Sequence, residues 1–238
     1  MPIDLLFLGL ALWRILPAVP MTLLITFLAL ALGFSLAFCL AYARYYEIPG
    51  LRVLAGAYVS FFRGTPVMMH FFLVYYGFPH LAAFLNSFGG VAFKASSVPL
   101  WALAVLALSL SAAAYFAEIL RAGILAVARG EIEAAQAMGM TRRQVMSRII
   151  LPQALSLSVP NLGSRCIAVM HGSSLAFWIA VVEITAKANL VAAYTYQFME
   201  AFLAAAVLYW LLTLIIERIV AAVERWNSKA LGRGLRSV

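Results

Sequence analysis

Long apolar runs alternate with short polar segments along the chain, and five of these runs approach the length that crosses a bilayer. A helix needs about 20 predominantly apolar residues to span the hydrocarbon core. Such runs occupy residues 15–43, 59–78, 97–117, 155–182 and 198–221. Because backbone groups in lipid must be hydrogen-bonded internally and the alternation typical of a barrel is weak, these runs are expected to be helices. We therefore predict an all-α polytopic membrane protein with about five transmembrane helices.

Composition supports a chain that lies mostly in lipid. Charged residues make up 11% of the 238 residues, hydrophobic residues make up 65%, and the mean hydropathy is +0.98. Soluble domains carry about 25% charged residues, so a soluble fold of this size would not bury so much apolar surface. The two cysteines, Cys39 and Cys166, lie in apolar runs and are interpreted as small core residues. The sequence therefore predicts no disulfide, no metal site and no cofactor.

The positive charges are concentrated on one side of the predicted membrane. Most of the 17 Lys and Arg residues fall between the first and second runs, between the third and fourth runs, or near the C-terminal tail. The other side has Arg14, Lys94 and Lys187. By the positive-inside rule, the N-terminus lies outside, whereas the C-terminus and segment 123–155 lie in the cytoplasm. This distribution accounts for the net charge of +8 without nucleic acid as a partner.

The polar segment between the third and fourth runs has the pattern of two short helices joined at a glycine. Acidic residues after Gly130 suit the N-terminus of the first helix, and Gly139 suits its end. Thr141 and Gln144 form a T-x-x-Q capping box for the second helix. Because proline restricts the residue before it, Pro152 is expected to end that second helix.

The second short helix also has a continuous apolar face. Val145, Met146, Ile149 and Ile150 recur at helical spacing, which predicts that this face packs on another part of the chain. A plain connector between two spans is the alternative interpretation. A connector, however, needs neither two caps nor a defined amphipathic face.

These motifs resemble those of a known family. The stretch "EAAQAMGMTRRQVMSRIILPQAL" resembles the EAA loop of binding-protein-dependent ABC importer permeases, with Glu133, Ala134, Ala135 and Gly139 at the matching positions. Two further stretches, "FFRGTPVMMHFFLVYYGFP" and "AAYFAEILRAGILAV", resemble segments of the branch that transports polar amino acids. The likeness extends from about residue 22 to residue 226.

The resemblance implies a single transmembrane domain over residues 1–238, with a cytoplasmic coupling loop at 123–155. In such a permease, Glu133, Ala134, Ala135 and Gly139 would dock on a separate cytoplasmic ATP-binding subunit dimer. A periplasmic or surface substrate-binding protein and a second permease subunit, identical or paralogous, are the other implied partners. The implied location is the plasma (inner) membrane of a bacterium, in contact with membrane lipid. The implied function is import of a polar amino acid, with another small solute as the alternative.

The chain itself is not expected to be an enzyme. The phosphate-binding motif G-x-x-x-x-G-K-[ST] does not occur in the sequence, so another chain must bind and hydrolyse ATP. An intramembrane enzyme would need a catalytic set, but His70, His80 and His171 form no recognisable Ser or Asp arrangement in sequence, and no catalytic residue is assigned. A transporter driven by an ion gradient usually shows repeated halves, and five runs do not divide into halves.

Polar residues within the runs are candidates for a substrate path, because such residues tend to face a bundle interior or a pathway. The candidates are Arg63, His70, His171, Ser173 and Ser174. For Arg63 the alternative is a side chain that reaches from the membrane edge to water, and for the serines it is close helix packing.

Several other charged residues carry separate expectations. Arg165 interrupts the fourth run and needs a partner that the sequence does not identify. Glu118 and Arg121 have the spacing of a structural ion pair. Three residues near the outer end, Glu183, Lys187 and Glu200, are expected to contact a docked binding protein.

Overall fold

A computed structural model describes residues 3–88 and 94–234, with side chains described as far as residue 227. Within these ranges the regular structure is entirely helical. The α-helices are α1 (Leu5–Ile15), α2 (Val19–Tyr45), α3 (Leu51–Gly64), α4 (Val67–Ser87), α5 (Leu100–Leu125), α6 (Arg129–Ala137), α7 (Arg142–Val145), α8 (Leu151–Gly172), α9 (Ile184–Thr195) and α10 (Phe198–Gly234). Short 3₁₀ segments occupy Leu16–Ala18, Ala95–Ser97 and Ser173–Ile179, and a π-turn occupies Met146–Ile150.

The helices confirm the predicted all-α membrane architecture. Four stretches are long and apolar enough to cross a bilayer, and they cover Leu5–Tyr45, Val67–Ser87, Leu100–Leu125 and Phe198–Asn227. A fifth span is present if Arg142–Ile179 and Ile184–Thr195, which meet at a bend of 50°, count as one broken span. This count agrees with the five spans expected from the sequence.

The second predicted span is misplaced by several residues. The run at 59–78 was expected to be one helix, but α3 ends at Gly64 and α4 starts at Val67. Thr65 is extended, with φ −117° and ψ 147°, because the ring of Pro66 disfavours a helical residue before it. Pro66 then serves as the N-cap of α4, and the apolar span begins only after it.

The expected end of the second loop helix at Pro152 is also wrong. The chain continues from α7 through the π-turn into α8, with Pro152 in the first turn of α8. A π-turn changes the hydrogen-bond register. Pro152, which lacks an N–H, therefore lies at the start of a new α-helical register, where no donor is needed.

Helix α5 lies at the centre of the bundle and is buried along most of its length. Small residues let its neighbours approach closely, as is common between helices in membranes. A Cβ atom placed on Gly33 of α2 would lie 3.0 Å from the Cβ of Ala112. A Cβ atom on Gly123 would lie 2.2 Å from Oγ of Ser158 in α8. These contacts fix α2 and α8 against α5.

A second core forms where α1, α9 and α10 meet, and it encloses Glu183. The Glu183 carboxylate accepts hydrogen bonds from the N–H groups of Thr185 (2.9 Å) and Ala186 (2.8 Å) and from the hydroxyl of Tyr209 (2.6 Å). It therefore caps the buried N-terminus of α9, whose donors would otherwise be unsatisfied. The expectation that Glu183 contacts a binding protein is wrong, because its side chain is fully buried.

Candidate functional site: the polar loop and the charged cluster

The polar loop between α5 and α8 folds as its sequence pattern predicts. Helix α6 ends at Ala137, and Gly139 follows with φ +84°, a conformation that favours glycine. The N–H of Gln144 donates to Oγ1 of Thr141 (3.3 Å), and the N–H of Thr141 donates to Oε1 of Gln144 (2.8 Å). The predicted capping box is thus confirmed, and the two short helices meet at a defined corner.

An apolar cluster attaches this loop to the spans. Its buried members come from the turn after α5, from α6, from α7 with the π-turn, and from α8: Val127, Ala135, Val145, Ile150 and Ala154. Met140, Met146 and Ile149 pack against the cluster, so the predicted apolar face is confirmed. Ala135 faces this interior, where its small side chain lets α6 approach the following segment. A displacement of α6 must therefore move the ends of the spans with it.

The opposite face of α6 is open. Glu133 and Ala134 are exposed, and the neighbouring Met138 is 79% exposed. Glu131 is engaged by the side-chain amide of Gln153 in its own chain. Glu133 has no hydrogen-bond or ion-pair partner among the described residues. The loop therefore presents a free carboxylate beside small and apolar side chains, which suits contact with another protein.

A charged cluster lies within the bundle around Glu118. Its carboxylate pairs with Arg121 at 3.0 Å, which confirms the predicted i,i+3 pair. It also pairs with Arg44 of α2 and, at 3.7 Å, with Arg63 of α3. One carboxylate thus links three helices. The contacts of Glu118 with Arg44 and with Arg63 were not predicted from the sequence, because local spacing does not indicate which helices become neighbours.

Arg165 joins the same region through an aromatic ring. Its guanidinium carbon lies 3.5 Å from the centre of the Tyr115 ring, and that of Arg63 lies 5.7 Å from the same centre. The Arg165 Nε atom is buried without a hydrogen-bond partner in the described part of the chain, and no carboxylate there reaches the guanidinium. The partner that the sequence did not identify is thus a tyrosine ring, which leaves the charge without a counter-ion.

The histidines predicted for a substrate path lie in different surroundings. His70 is buried, with Nε2 2.7 Å from Oγ1 of Thr65 and Nδ1 unpaired within the described residues. Its ring centre lies 4.8 Å from that of Phe62, next to Arg63. His171 is exposed in this chain, and its Nε2 lies 3.0 Å from Oγ1 of Thr213.

The serines of the predicted path follow His171 in a 3₁₀ segment. Ser173 is buried and donates a hydrogen bond to the carbonyl of Met170 (2.6 Å), whereas Ser174 is partly exposed. In the described part of the chain no hydrogen bond or ion pair joins these serines or His171 to the cluster around Glu118. The structure thus places Arg63 and His70 on either side of the break between α3 and α4, with no hydrogen bond between them among the described residues. The other three candidates lie at the far end of α8 or directly after it.

One exposed face of α8 is polar although the helix lies at membrane depth. This face carries Asn161, Ser164 and His171 together with the small Ala168, at spacings of three or four residues, and all four are exposed in the single chain. By contrast, α10 exposes large apolar side chains: Trp210, Leu211, Ile215 and Ile219. Polar groups are costly against acyl chains, so the polar face of α8 is suited to a protein interface or an aqueous path.

The described residues contain no group of three His, Cys, Asp or Glu side chains arranged to hold a metal ion. The polar features of the molecule are therefore a loop face suited to a protein and a membrane-level cluster with unpaired positive charge.

Comparison with known proteins places the chain among transport proteins. The family model described as "Binding-protein-dependent transport system inner membrane component" matches residues 12–229. The probable amino-acid ABC transporter permease protein PatM of Vibrio harveyi is 40% identical over 84% of this chain and 86% of its own length. The L-cystine transport system permease protein TcyL of Bacillus subtilis is 36% identical over 87% of this chain and 84% of its own length. A crystal structure of an amino acid ABC transporter with histidines superimposes with a TM-score of 0.80 and 31% identity, over 94% of this chain and 99% of that chain.

Proposed function

This chain belongs to the family of binding-protein-dependent transport system inner membrane components, and from that premise we propose that it is the membrane-spanning subunit of an ATP-driven amino-acid importer. The observation that carries the proposal is the loop between α5 and α8. Its outer face offers the free carboxylate of Glu133, and its inner face is packed on the spans. The amino-acid cargo is supported by the names of PatM and TcyL.

The partners of the proposed importer follow from its geometry and its charge. A cytoplasmic ATP-binding subunit dimer docks on α6, with Glu133 and Ala134 at the contact and Gly139 turning the chain away from it. A second permease subunit covers the polar face of α8, and a substrate-binding protein delivers cargo from outside. The Lys and Arg distribution supports a cytoplasmic loop and C-terminus and an external N-terminus.

Movement passes from the loop to the spans through packed side chains. When the ATP-binding subunits close, α6 moves as a rigid body because Gly139 and the capping box fix its corner. Ala135 presses on Val145 and Ile150, and Ile150 leads directly into α8. Helix α8 carries both Arg165 and the polar face, so a small displacement of the loop changes access along the path.

The proposed substrate path includes the five sequence candidates and adds Arg165. Arg63 and Arg165 both face the Tyr115 ring, and Glu118 is already shared by three arginines. This region therefore has an excess of positive charge that a carboxylate would neutralise. Every amino acid carries a carboxylate, so an amino-acid cargo supplies the missing anion. His70, His171, Ser173 and Ser174 offer further polar contacts along the route.

Reconstitution in proteoliposomes tests this function directly. The permease is combined with an ATP-binding subunit and a loaded binding protein purified from the same cells, and uptake of radiolabelled L-cystine, L-glutamine and L-histidine is followed. ATP inside the vesicles should drive uptake of at least one amino acid, and a proton gradient alone should not. Uptake driven by the gradient without the ATP-binding subunit, or uptake restricted to a sugar, would contradict the proposal.

A further inference from the structure

A cleft of about 600 Å³ opens between the loop-side ends of α2, α5 and α8. We refer to it as the loop-side cleft. Its wall is formed by apolar side chains of the three helices: Phe38, Ala41, Leu120, Ile124 and Leu155. The volume falls within the range of about 300–1,000 Å³ that is typical of sites for one small ligand. Since these residues lie in the loop-side turns of helices that cross the membrane, the wall lies at the depth of the acyl chains.

The mouth of the cleft differs from its wall. Arg142 and Arg143 line it from the coupling loop, and both are exposed. Neither has an ion-pair or hydrogen-bond partner among the residues that the structure describes. Tyr42, Tyr45 and Tyr46 stand at the same level, with ring centres 4.5 Å apart for Tyr42 and Tyr46 and 5.1 Å apart for Tyr45 and Tyr46. Aromatic rings of this kind favour the boundary between acyl chains and head groups.

The loop-side cleft is separate from the proposed substrate path. Successive residues of an α-helix turn by about 100°, so Leu120 and Ile124 project from α5 about 140° and 180° away from Tyr115. Tyr115 faces Arg63 and Arg165, whereas Leu120 and Ile124 face the cleft. A ligand in the cleft would therefore not occupy the path. The chemistry of that ligand is indicated only by the residues that line the cleft.

We propose that the loop-side cleft binds one anionic phospholipid, with an acyl chain along the apolar wall and the phosphate between Arg142 and Arg143. The inference goes beyond the proposed transport activity and rests on it only in placing the loop at the membrane surface. An apolar wall alone would accept any lipid. Two guanidinium groups without partners select a negatively charged head group, since arginine pairs well with phosphate oxygens. A water-soluble anion would leave the apolar wall uncovered.

Lipid binding to the whole transporter tests the proposal. The permease is purified with its ATP-binding subunit and delipidated, and its affinities for phosphatidylglycerol and phosphatidylcholine are measured by native mass spectrometry. A basic side chain at a membrane surface contributes roughly a fivefold preference for anionic lipid. The double variant R142Q/R143Q should therefore bind phosphatidylglycerol about 30-fold more weakly and phosphatidylcholine almost unchanged.

Two matched variants separate the cleft from general charge effects. R129Q/R148Q removes the same charge from two exposed arginines in the same region that do not line the cleft, and it should bind phosphatidylglycerol like the wild type. Ala41→Phe keeps both arginines but fills the apolar wall, and it should weaken both lipids. The melting temperature of each purified variant in detergent checks that it is folded.

Three results would overturn the proposal. The first is equal loss of phosphatidylglycerol in R129Q/R148Q and R142Q/R143Q, which would indicate diffuse surface charge. The second is an Ala41→Phe variant that binds both lipids normally. The third is displacement of phosphatidylglycerol by excess inorganic phosphate, which would indicate a head-group site without an acyl chain. None of these readouts depends on transport, so a failure here is distinguishable from a failure of the proposed importer.

Discussion

The guanidinium carbon of Arg165 lies 3.5 Å from the centre of the Tyr115 ring. Arg165 is 14 residues after Leu151, the first residue of α8, which places it about 21 Å along the helix. A cation–π contact contributes about 0.5–2 kcal/mol. It does not neutralise the charge, and a cation at membrane depth normally pairs with an anion or with backbone carbonyls. The Arg165 guanidinium therefore retains a positive charge that an anionic group could neutralise.

The first prediction concerns Arg165. Arg165→Gln should reduce ATP-driven amino-acid uptake at least about tenfold, because one charge-assisted contact to a substrate carboxylate contributes about 1.5–3 kcal/mol. Arg165→Lys keeps the charge but loses the planar group that stacks on Tyr115, so its uptake should be intermediate. Initial uptake rates in proteoliposomes give the measurement.

Arg14→Gln is the matched control for that series, since it removes an exposed cation from α1. It should transport like the wild type. If Arg165→Gln also transports at the wild-type rate, with normal melting temperature and complex assembly, Arg165 has no part in the path.

The second prediction concerns the carboxylate shared by three arginines. Glu118→Gln should lower the free energy of unfolding by about 2 kcal/mol, because partly buried guanidinium groups lose their counter-charge. Thermal unfolding in detergent should show a melting temperature roughly 4–8 °C lower. Glu47→Gln removes an exposed carboxylate paired with Arg52 at 3.1 Å and should change the melting temperature little. Equal shifts in the two variants would contradict a special role for Glu118.

Local features of the loop were predictable from sequence because they depend on residues a few positions apart. The capping box of Thr141 and Gln144 and the left-handed turn at Gly139 need only the chemistry of a hydroxyl, an amide and a missing Cβ. The apolar runs likewise located most spans, since period and length are properties of the chain itself. These elements therefore required no knowledge of tertiary neighbours.

Features that depend on neighbouring helices were not predictable in the same way. Arg44 and Glu118 are 74 positions apart, and no local periodicity pairs them. From its sequence position Glu183 was expected at the surface, but the packing of α9 against α10 buries it beside Tyr209.

The effect of each proline was also ambiguous in the sequence, for a related reason. Pro66 divides two helices, whereas Pro152 is accommodated by a π-turn, and the difference depends on whether the surroundings hold the chain in register.

The third prediction concerns close packing at Gly123. A Cβ atom there would lie 2.2 Å from Oγ of Ser158 and 2.6 Å from the carbonyl oxygen of Ala154. Gly123→Ala should therefore force α5 and α8 apart and lower stability by about 1–3 kcal/mol. Adding Ser158→Ala should restore only part of the loss, because the contact with the Ala154 backbone remains. Thermal unfolding of the purified chain measures both effects.

Gly56 provides the matched control for this substitution. It lies within α3, and a Cβ atom there meets nothing within 4 Å. Gly56→Ala should leave stability unchanged or raise it by up to about 1 kcal/mol, since alanine favours a helix more than glycine does. A Gly123→Ala variant as stable as Gly56→Ala would mean that α5 and α8 are not in close contact there.

The fourth prediction concerns the corner between α6 and α7. Gly139 has open space where a Cβ atom would lie but a φ of +84°, so Gly139→Ala should cost about 1–2 kcal/mol through the backbone alone. Gly139→Asn should cost less, because asparagine tolerates this conformation better. Gly130→Ala, at an equally open position within α6 and with an ordinary backbone, should be neutral or slightly stabilising. ATP-driven uptake should be lowest in Gly139→Ala, higher in Gly139→Asn and like the wild type in Gly130→Ala. Equal uptake rates in all three variants would show that the corner does not position α6.

The most direct test is the affinity of the permease for its ATP-binding subunit after neutralising Glu133 or Glu131. Both substitutions to glutamine remove one negative charge from the same helix, but Glu131 is held by Gln153 of its own chain, whereas Glu133 has no partner among the described residues. Glu133→Gln should weaken the complex, measured by surface plasmon resonance in nanodiscs, about tenfold or more. Glu131→Gln should stay within about threefold of the wild type. Unchanged affinity for Glu133→Gln, or equal loss in both variants, would contradict docking through the exposed face of α6.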